Sequence, residues 1–327
     1  MTTEHTARIP RTDIEVFRLN LGGNVFGWTA DREESFAVLD AFADRGGDFV
    51  DTADVYSAWG EGHTGGESED IIGQWFERTG RRDETVIATK VGSWDQRPGL
   101  SPANVAAALD DSLRRLRTDR VDLYYAHRDD EETSAEDLAA GFDAVVRSGK
   151  ARAIGMSNLS PERQRAWLEA ARANGLAAPV AIQPQHSLVH RAAVEGTPGH
   201  PEDGYGALAR EYDLAVFPYF ALAAGFLTGK YRSAADVGSG ARSAAVGGYA
   251  TPAGFAVVDE LLAVAAEVGA PPASVAIAWL LAKGATAPIA SARTVEQLDP
   301  LFAAVDLALD AEQVARLDRA SAPYLRE

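Results

Sequence analysis

Cysteine is missing from the sequence altogether, so disulfides, thiolate nucleophiles and thiolate metal sites are excluded together. Lysine is nearly missing: Lys90, Lys150, Lys230 and Lys283 are the only four, and arginine supplies the rest of the 31 basic side chains. Against 48 acidic residues these leave a formal charge of −17, which repels nucleic acid and anionic lipid unless basic residues cluster, and no cluster is visible. There is no uncharged run of about eighteen apolar residues to span a membrane. The start, MTTEHTARIP, lacks the apolar core of a signal peptide. The expected location is the cytoplasm, with neither membrane nor nucleic acid as a partner. No G-x-G-x-x-G opens a helix after the first apolar run, which argues against an open dinucleotide-binding sheet. His5, His63, His190 and His200 show no ligand spacing with carboxylates, so no metal is expected.

What is present is a soluble globular composition, 46% hydrophobic and 24% charged over 327 residues. Short apolar runs that suit buried strands alternate with longer stretches of helical periodicity. The predicted strands are Arg18–Gly22, Phe49–Asp51, Val86–Lys90, Val121–Ala126, Ala151–Ser157, Val180–Gln183, Leu214–Tyr219 and Ala287–Ile289. Helices are predicted at Arg32–Arg45, Glu69–Arg78, Pro102–Leu116, Glu136–Ser148, Pro161–Asn174 and Gly204–Tyr212, then Gly254–Val268 with Ser274–Lys283, Val295–Ala304 and Ala311–Ala320. Ser101-Pro102 and Ser160-Pro161 put a capping hydroxyl before a first-turn proline, and Thr294 and Asp310 each precede a Gln at or near capping-box spacing. Apolar strands in eight successive alternations favour one closed (β/α)8 TIM barrel, an α/β fold in a single domain spanning residues 1–327. The long stretches Ser57–Gly66 and Thr228–Pro252 follow strands, so both belong on the C-terminal rim, where barrel enzymes keep their chemistry.

Polar residues that close apolar strands are the informative ones, because a charge at the barrel mouth needs a partner or a task. Asp51 ends one strand, Tyr56 follows five residues later, Lys90 ends the next and His127 follows the one after. Singly they read as a helix-capping Asp, a rim Tyr, a snorkelling Lys and a satisfied His. Together they are neighbours. A lysine ammonium beside a phenol favours the phenolate and is expected to lower the tyrosine pKa toward neutrality, while the Asp holds the ammonium charged. Such a set suits protonation of a carbonyl oxygen. Trp28, Trp59 and Trp94 fall near the same mouth, either as walls of an apolar substrate pocket or as rim packing.

At these residues the sequence resembles the aldo-keto reductases. The segments 51–56 (DTADVY), 88–92 (ATKVG), 124–130 (YYAHRDD) and 154–158 (IGMSN), the run from Gln183 to Arg191, and 218–232 (PYFALAAGFLTGKYR) carry the likeness in order. It extends from about Ile14 to Leu317. The resemblance implies a (β/α)8 barrel with an N-terminal β-hairpin, here around Arg11-Thr12-Asp13, plugging the barrel bottom. It also implies reduction of an aldehyde or ketone, or oxidation of an alcohol, with NADPH/NADP+ rather than NADH. Tyr56 would be the general acid, tuned by Asp51 and Lys90, and His127 would orient the substrate carbonyl. Ser157, Asn158 and Gln183 would hold the nicotinamide carboxamide, with Tyr219 stacked on the ring. Backbone amides of Ala221, Leu222 and Gly225, with Lys230, would bind the pyrophosphate. Arg242 would grip a 2′-phosphate, and Ala290, Ala292, Arg293 and Gln297 would meet the adenosine end.

The sequence departs from the family pattern in three places. Arg293 comes one position early, Leu301 stands where an Asn is expected, and His186 replaces a common tyrosine. Two rival readings remain. The family includes channel-associated, nucleotide-binding regulatory subunits with little turnover, although nothing here looks like the N-terminal segment such a role would use. A metal-dependent hydrolase would show carboxylate or His pairs at strand ends, where only single ones occur. No feature specifies the oligomeric state.

Overall fold

Alternation along short strands sets the architecture. In the computed structural model, which describes residues 5–238 and 243–326, β1 (Thr6–Arg8) pairs antiparallel with β2 (Glu15–Phe17). β3 (Asn20–Gly22), β4 (Phe49–Asp51) and β5 (Val86–Val91) follow, then a small hairpin of β6 (Ser93–Trp94) and β7 (Arg97–Pro98) that the sequence did not suggest. The later strands are β8 (Val121–Ala126), β9 (Ala151–Met156), β10 (Ala181–Ile182), β11 (Ala215–Val216) and β12 (Ile289–Ala290). Eight of these form one parallel sheet in the order β11-β10-β9-β8-β5-β4-β3-β12. Backbone hydrogen bonds of 2.8 Å from Thr286 N to Val216 O and from Ile289 N to Pro218 O join the strands at the two ends of that order. The result is a curled parallel sheet of the α/β-barrel type.

Helices α1 (Arg32–Asp44), α2 (Glu67–Thr79), α3 (Pro102–Leu116), α4 (Ala135–Arg147) and α5 (Pro161–Ala173) connect the first strands. The short α6 (Ala192–Glu195), then α7 (Tyr205–Tyr212), α8 (Ser243–Gly247), α9 (Pro252–Val268), α10 (Pro272–Ala282), α11 (Asp299–Asp306) and α12 (Ala311–Ala320) complete the set. Ser101, Ser134 and Ser160 cap as their chemistry suggests, each accepting from the amide three residues on. Asp310 forms a full capping box with Gln313. Thr294 does not cap: Gln297 instead accepts from Arg293 N at 2.9 Å, a single 3₁₀ turn follows, and Pro300 starts α11 afresh. The last three barrel strands are shorter than predicted because Pro184, Pro218 and Pro288 flank them and cannot donate to a ladder.

Successive side chains on a strand face opposite sides. Val50, Ile87, Tyr124, Ile154 and Ile182 point outward into a large core shared with the helices, where Phe142 lies between Tyr124 and Trp167. The other parity points inward, where Phe49, Ala88, Leu123, Tyr125, Ala153, Ala181 and Phe217 form a separate cluster. Small inward residues make room for large ones: a Cβ on Gly155 would lie 2.3 Å from the Tyr125 ring. Ile9, Ile14 and Val16, from β1–β2 and its turn, join this inner cluster. Arg11 donates to Pro179 O just before β10, and Arg152 pairs with Asp13. Among the described residues no single helix is long and apolar enough to cross a membrane.

Helices α2 and α3 touch at Gly73, where a Cβ would sit 2.1 Å from the Arg115 carbonyl oxygen. Gly73→Ala is therefore expected to lower unfolding stability by about 1–3 kcal/mol through overpacking. Urea titration checks this, and an unchanged midpoint would contradict so close an approach.

Candidate active site

The strand parity that packs the barrel also aims its chemistry. Asp51 follows inward Phe49 by two residues, Lys90 follows Ala88, His127 follows Tyr125, Ser157 follows Gly155, Gln183 follows Ala181 and Tyr219 follows Phe217. Each is the next inward position at the C-terminal end of its strand. Six consecutive strands of the sheet thus deliver one polar residue each to the same mouth.

Two of these residues are sealed beneath it. Asp51 and Lys90 are both fully buried, with Lys90 Nζ 2.6 Å from Asp51 Oδ2. Lys90 Nζ also donates to Thr52 O at 2.8 Å and to the Tyr56 hydroxyl oxygen at 2.8 Å. Tyr56 OH donates to Asp51 Oδ2 at 3.0 Å, and Gln183 Nε2 donates to Asp51 Oδ1 at 2.8 Å. The ammonium and carboxylate have thus exchanged water for one another and for fixed polar groups, the condition under which a buried pair is tolerated. His127 stands edge-on to Tyr56, with ring centroids 5.9 Å apart.

Above this set opens a cavity of about 960 Å³. Tyr56, Trp59 and His127 line one side. Ser157, Asn158, Gln183 and Tyr219 line another, knit together by Ser157 Oγ to Gln183 O, Asn158 Nδ2 to His127 O and Tyr219 OH to Asn158 Oδ1, each 2.8 Å. Ala221, Leu222, Gly225 and Lys230 form a third wall. There Ala223, Ala224 and Gly225 take successive left-handed conformations, with φ of 48°, 56° and 95°; for alanine that is strain of the kind retained at functional sites. Ala290, Arg293 and Gln297 line the wall after β12, while Ala292 is buried behind it. Arg242 lies outside the described residues.

The tryptophans separate. Trp59 is exposed on the cavity wall, and Trp28 packs edge-on to it at 5.7 Å. Neither Trp28 nor Trp94 is on the cavity wall, and Trp94 sits in β6, close against Gly65 and under the Arg115 guanidinium. His186 is likewise turned away, buried against Trp279 with Nε2 3.2 Å from Glu195. Arg191 and Lys283 bind the same carboxylate. His200, Glu202 and Asp203, by contrast, bring ligand atoms within 4.8 Å of one another on the exposed surface, a grouping the spacing had not suggested and one that lines no part of the cavity.

Comparison with known proteins agrees with this geometry: the sequence model described as the Aldo/keto reductase family matches residues 18–322. The chain belongs to the aldo/keto reductase family. It is 36% identical over 324 residues to the uncharacterized oxidoreductase YrpG of Bacillus subtilis, covering 94% of this chain and 93% of that protein. It is 32% identical to the aldo-keto reductase yakc (NADP(+)) of Schizosaccharomyces pombe, over 88% and 82% of the two chains. A probable voltage-gated potassium channel subunit beta of Oryza sativa is 33% identical, over 82% and 81%. The chain is thus that of an oxidoreductase family.

Within this aldo/keto reductase the electrostatics differ from the sequence expectation at Tyr56. Its phenol is pushed well above its ordinary pKa, first by burial and then by the Asp51 carboxylate, to which it donates. Lys90 spends its charge on Asp51, so the phenol is held protonated rather than poised near neutrality. Burial, Lys90 and Arg128 push His127 well below its ordinary value, leaving a neutral imidazole. The ring keeps its hydrogen-bonding capacity, since Nδ1 is buried without a partner.

Three residues carry more than the sequence suggested. Phe220 and Arg128 are exposed on the cavity wall. Asp54, two residues before Tyr56, is 1% exposed and has no side-chain hydrogen bond or ion pair among the described residues. Burial, then the charge of Glu69, pushes its pKa up to about 7, with Arg115 and Lys90 opposing. Its unfolded value is near 3.8, so above that pH the unfolded chain releases a proton that the folded chain keeps. Stability from this group therefore falls as pH rises from about 4 to about 7, and the loss is complete above that window. Asp54→Asn, which cannot ionise, is expected to gain stability relative to the wild type between about pH 5 and pH 8 in urea unfolding. An identical pH dependence for the two proteins would show that Asp54 is ionised throughout.

Proposed function

We propose that the protein is an NADPH-dependent reductase that converts an aldehyde or ketone to the alcohol, with Tyr56 as general acid. One observation carries this reading: a protonated phenol on the cavity wall lies 2.8 Å from a buried ammonium that can stabilise the phenolate it becomes. A carbonyl oxygen between Tyr56 and His127 would meet two neutral donors, one of which gives up its proton. As negative charge develops on that oxygen, the Tyr56 proton moves to it, and Lys90 then faces a phenolate at hydrogen-bond distance. Asp51 keeps the ammonium charged, and Gln183 fixes the carboxylate by its second oxygen.

The walls fit a dinucleotide. Lys230 and Arg293 line the cavity with no ion pair among the described residues, as phosphate-binding cations should. The backbone of Ala221 and Leu222, leading into the left-handed turn that ends at Gly225, would meet the pyrophosphate. Ser157, Asn158 and Gln183 would hold a carboxamide, Tyr219 the ring, and Ala290, Ala292 and Gln297 the adenosine end. The nucleotide supplies the hydride for the carbonyl carbon. Lys230 would serve the pyrophosphate common to both cofactors, whereas Arg293 at the adenosine end would favour NADPH over NADH by meeting a 2′-phosphate, and the S. pombe relative named for NADP(+) is in keeping with that preference.

Tyr56→Phe is expected to lower kcat at least about 100-fold with 4-nitrobenzaldehyde, while NADPH still quenches tryptophan fluorescence with little change in Kd. Retention of full activity would contradict the assignment. The similarity to a potassium channel beta subunit supports a second reading, a nucleotide-binding regulatory subunit with little turnover. That reading predicts NADPH binding by the wild type without reduction of any aldehyde.

A further inference from the structure

The cavity wall opposes the charge of the chain. Across a protein with a formal charge of −17, the wall carries three cations, Arg128, Lys230 and Arg293, and a single acid, Asp236, among the described residues. That acid is already occupied by the amides of Arg232 and Ser233 at 2.7 Å. Lys230 and Arg293 follow β11 and β12, the neighbouring strands that close the sheet, and the proposed nucleotide accounts for both. Arg128 follows β8, four strands from β12 in either direction round the closed order, and so stands across the mouth from them.

Arg128 is also unpaired where the sequence would neutralise it. The run His127-Arg128-Asp129-Asp130 places two acids directly after it, yet both turn elsewhere. Asp129 accepts from Arg163 Nε at 3.0 Å and from the Asp130 amide. Asp130 takes Leu100 N at 2.7 Å and the Thr133 hydroxyl at 2.6 Å. The Arg128 guanidinium has no hydrogen bond or ion pair among the described residues. It is exposed on the same wall as Tyr56, Trp59 and His127. A planar five-donor fork left free next to His127 in the chain, and across the mouth from the two cations given to the nucleotide phosphates, is suited to an anion on the molecule being reduced.

We propose that Arg128 selects carbonyl substrates bearing an anionic group, a carboxylate or a phosphate, by binding that group while the carbonyl oxygen faces Tyr56 and His127. The proposal builds on the reductase reading above. An anion held there would also oppose the smaller downward push that the Arg128 charge adds to burial and Lys90 on the His127 pKa.

The test compares two pairs that differ in charge: the near-isosteric 4-carboxybenzaldehyde and 4-nitrobenzaldehyde, and glyceraldehyde 3-phosphate with glyceraldehyde. For each pair the ratio of kcat/KM, anionic over neutral, is measured in the wild type, Arg128→Gln and Arg128→Lys. Taking the ratio relative to wild type cancels the intrinsic reactivity of the two aldehydes. The ratio is expected to fall about tenfold or more in the Gln variant for at least one pair, to be largely kept in the Lys variant, and to decline with added salt in the wild type. The pair that responds identifies carboxylate or phosphate as the group bound. Equal ratios in all three proteins, with the neutral aldehydes still reduced, would overturn the proposal and leave the reductase reading standing. A raised NADPH KM in Arg128→Gln with unchanged ratios would assign the guanidinium to the nucleotide and overturn it as well. No reduction of any of the four compounds by the wild type would remove the reductase reading, and this inference with it.

Discussion

The contact between Lys90 and Asp51 is the constraint around which the rest of the molecule is arranged. Two opposite charges with no exposure to water are tolerable only if each remaining donor and acceptor is satisfied, and removing one partner from such a pair typically costs about 3–5 kcal/mol. The barrel meets that demand with the Thr52 carbonyl, the Gln183 amide and the Tyr56 hydroxyl. These come from the segments after β4 and β10, and the pair itself from β4 and β5, so the arrangement exists only when the parallel sheet has assembled in its order. The small inward residues Ala88, Gly155 and Ala181 belong to the same arrangement. They leave the interior to Phe49, Tyr125 and Phe217 and bring polar side chains to the layer above.

Much of this was legible in the sequence, for a definite reason. Eight apolar runs alternating with amphipathic stretches are a one-dimensional record of a covered parallel sheet. The residue closing each run shows which polar groups share the mouth. That is why Asp51, Lys90 and His127 are placed at the mouth by the sequence alone, with Tyr56 beside them. The helix caps at Ser101, Ser160 and Asp310 are local and were equally readable.

The remainder depends on contacts between distant segments. The destination of Trp94 is set by Gly65 and Arg115, from a different strand–helix unit. Thr294 satisfies the local pattern of a cap, but the Gln297 side chain reaches one residue too far for it. The direction of the Tyr56 pKa is not legible in the sequence, which shows a nearby cation but not that Asp51 binds both it and the phenol. Arg128 draws no reading from the sequence, and its freedom from the adjacent Asp129 depends on Arg163, from α5, which takes that carboxylate. Asp54 gave no hint of its burial, since its neighbours Glu69 and Arg115 come from α2 and α3.

In the proposed reaction the Tyr56 phenol, weakly acidic at rest, and the Lys90 ammonium 2.8 Å away, which would stabilise its phenolate, act as a unit. The most direct measurement of that unity is a double-mutant cycle on kcat/KM with NADPH and 4-nitrobenzaldehyde, using Tyr56→Phe, Lys90→Met and the double variant. If Lys90 acts through the Tyr56 proton, the double variant is no slower than the slower single variant, because removing either group already abolishes the step. Losses that multiply in the double variant would show that the two residues act independently and would contradict the coupled acid at the centre of this site.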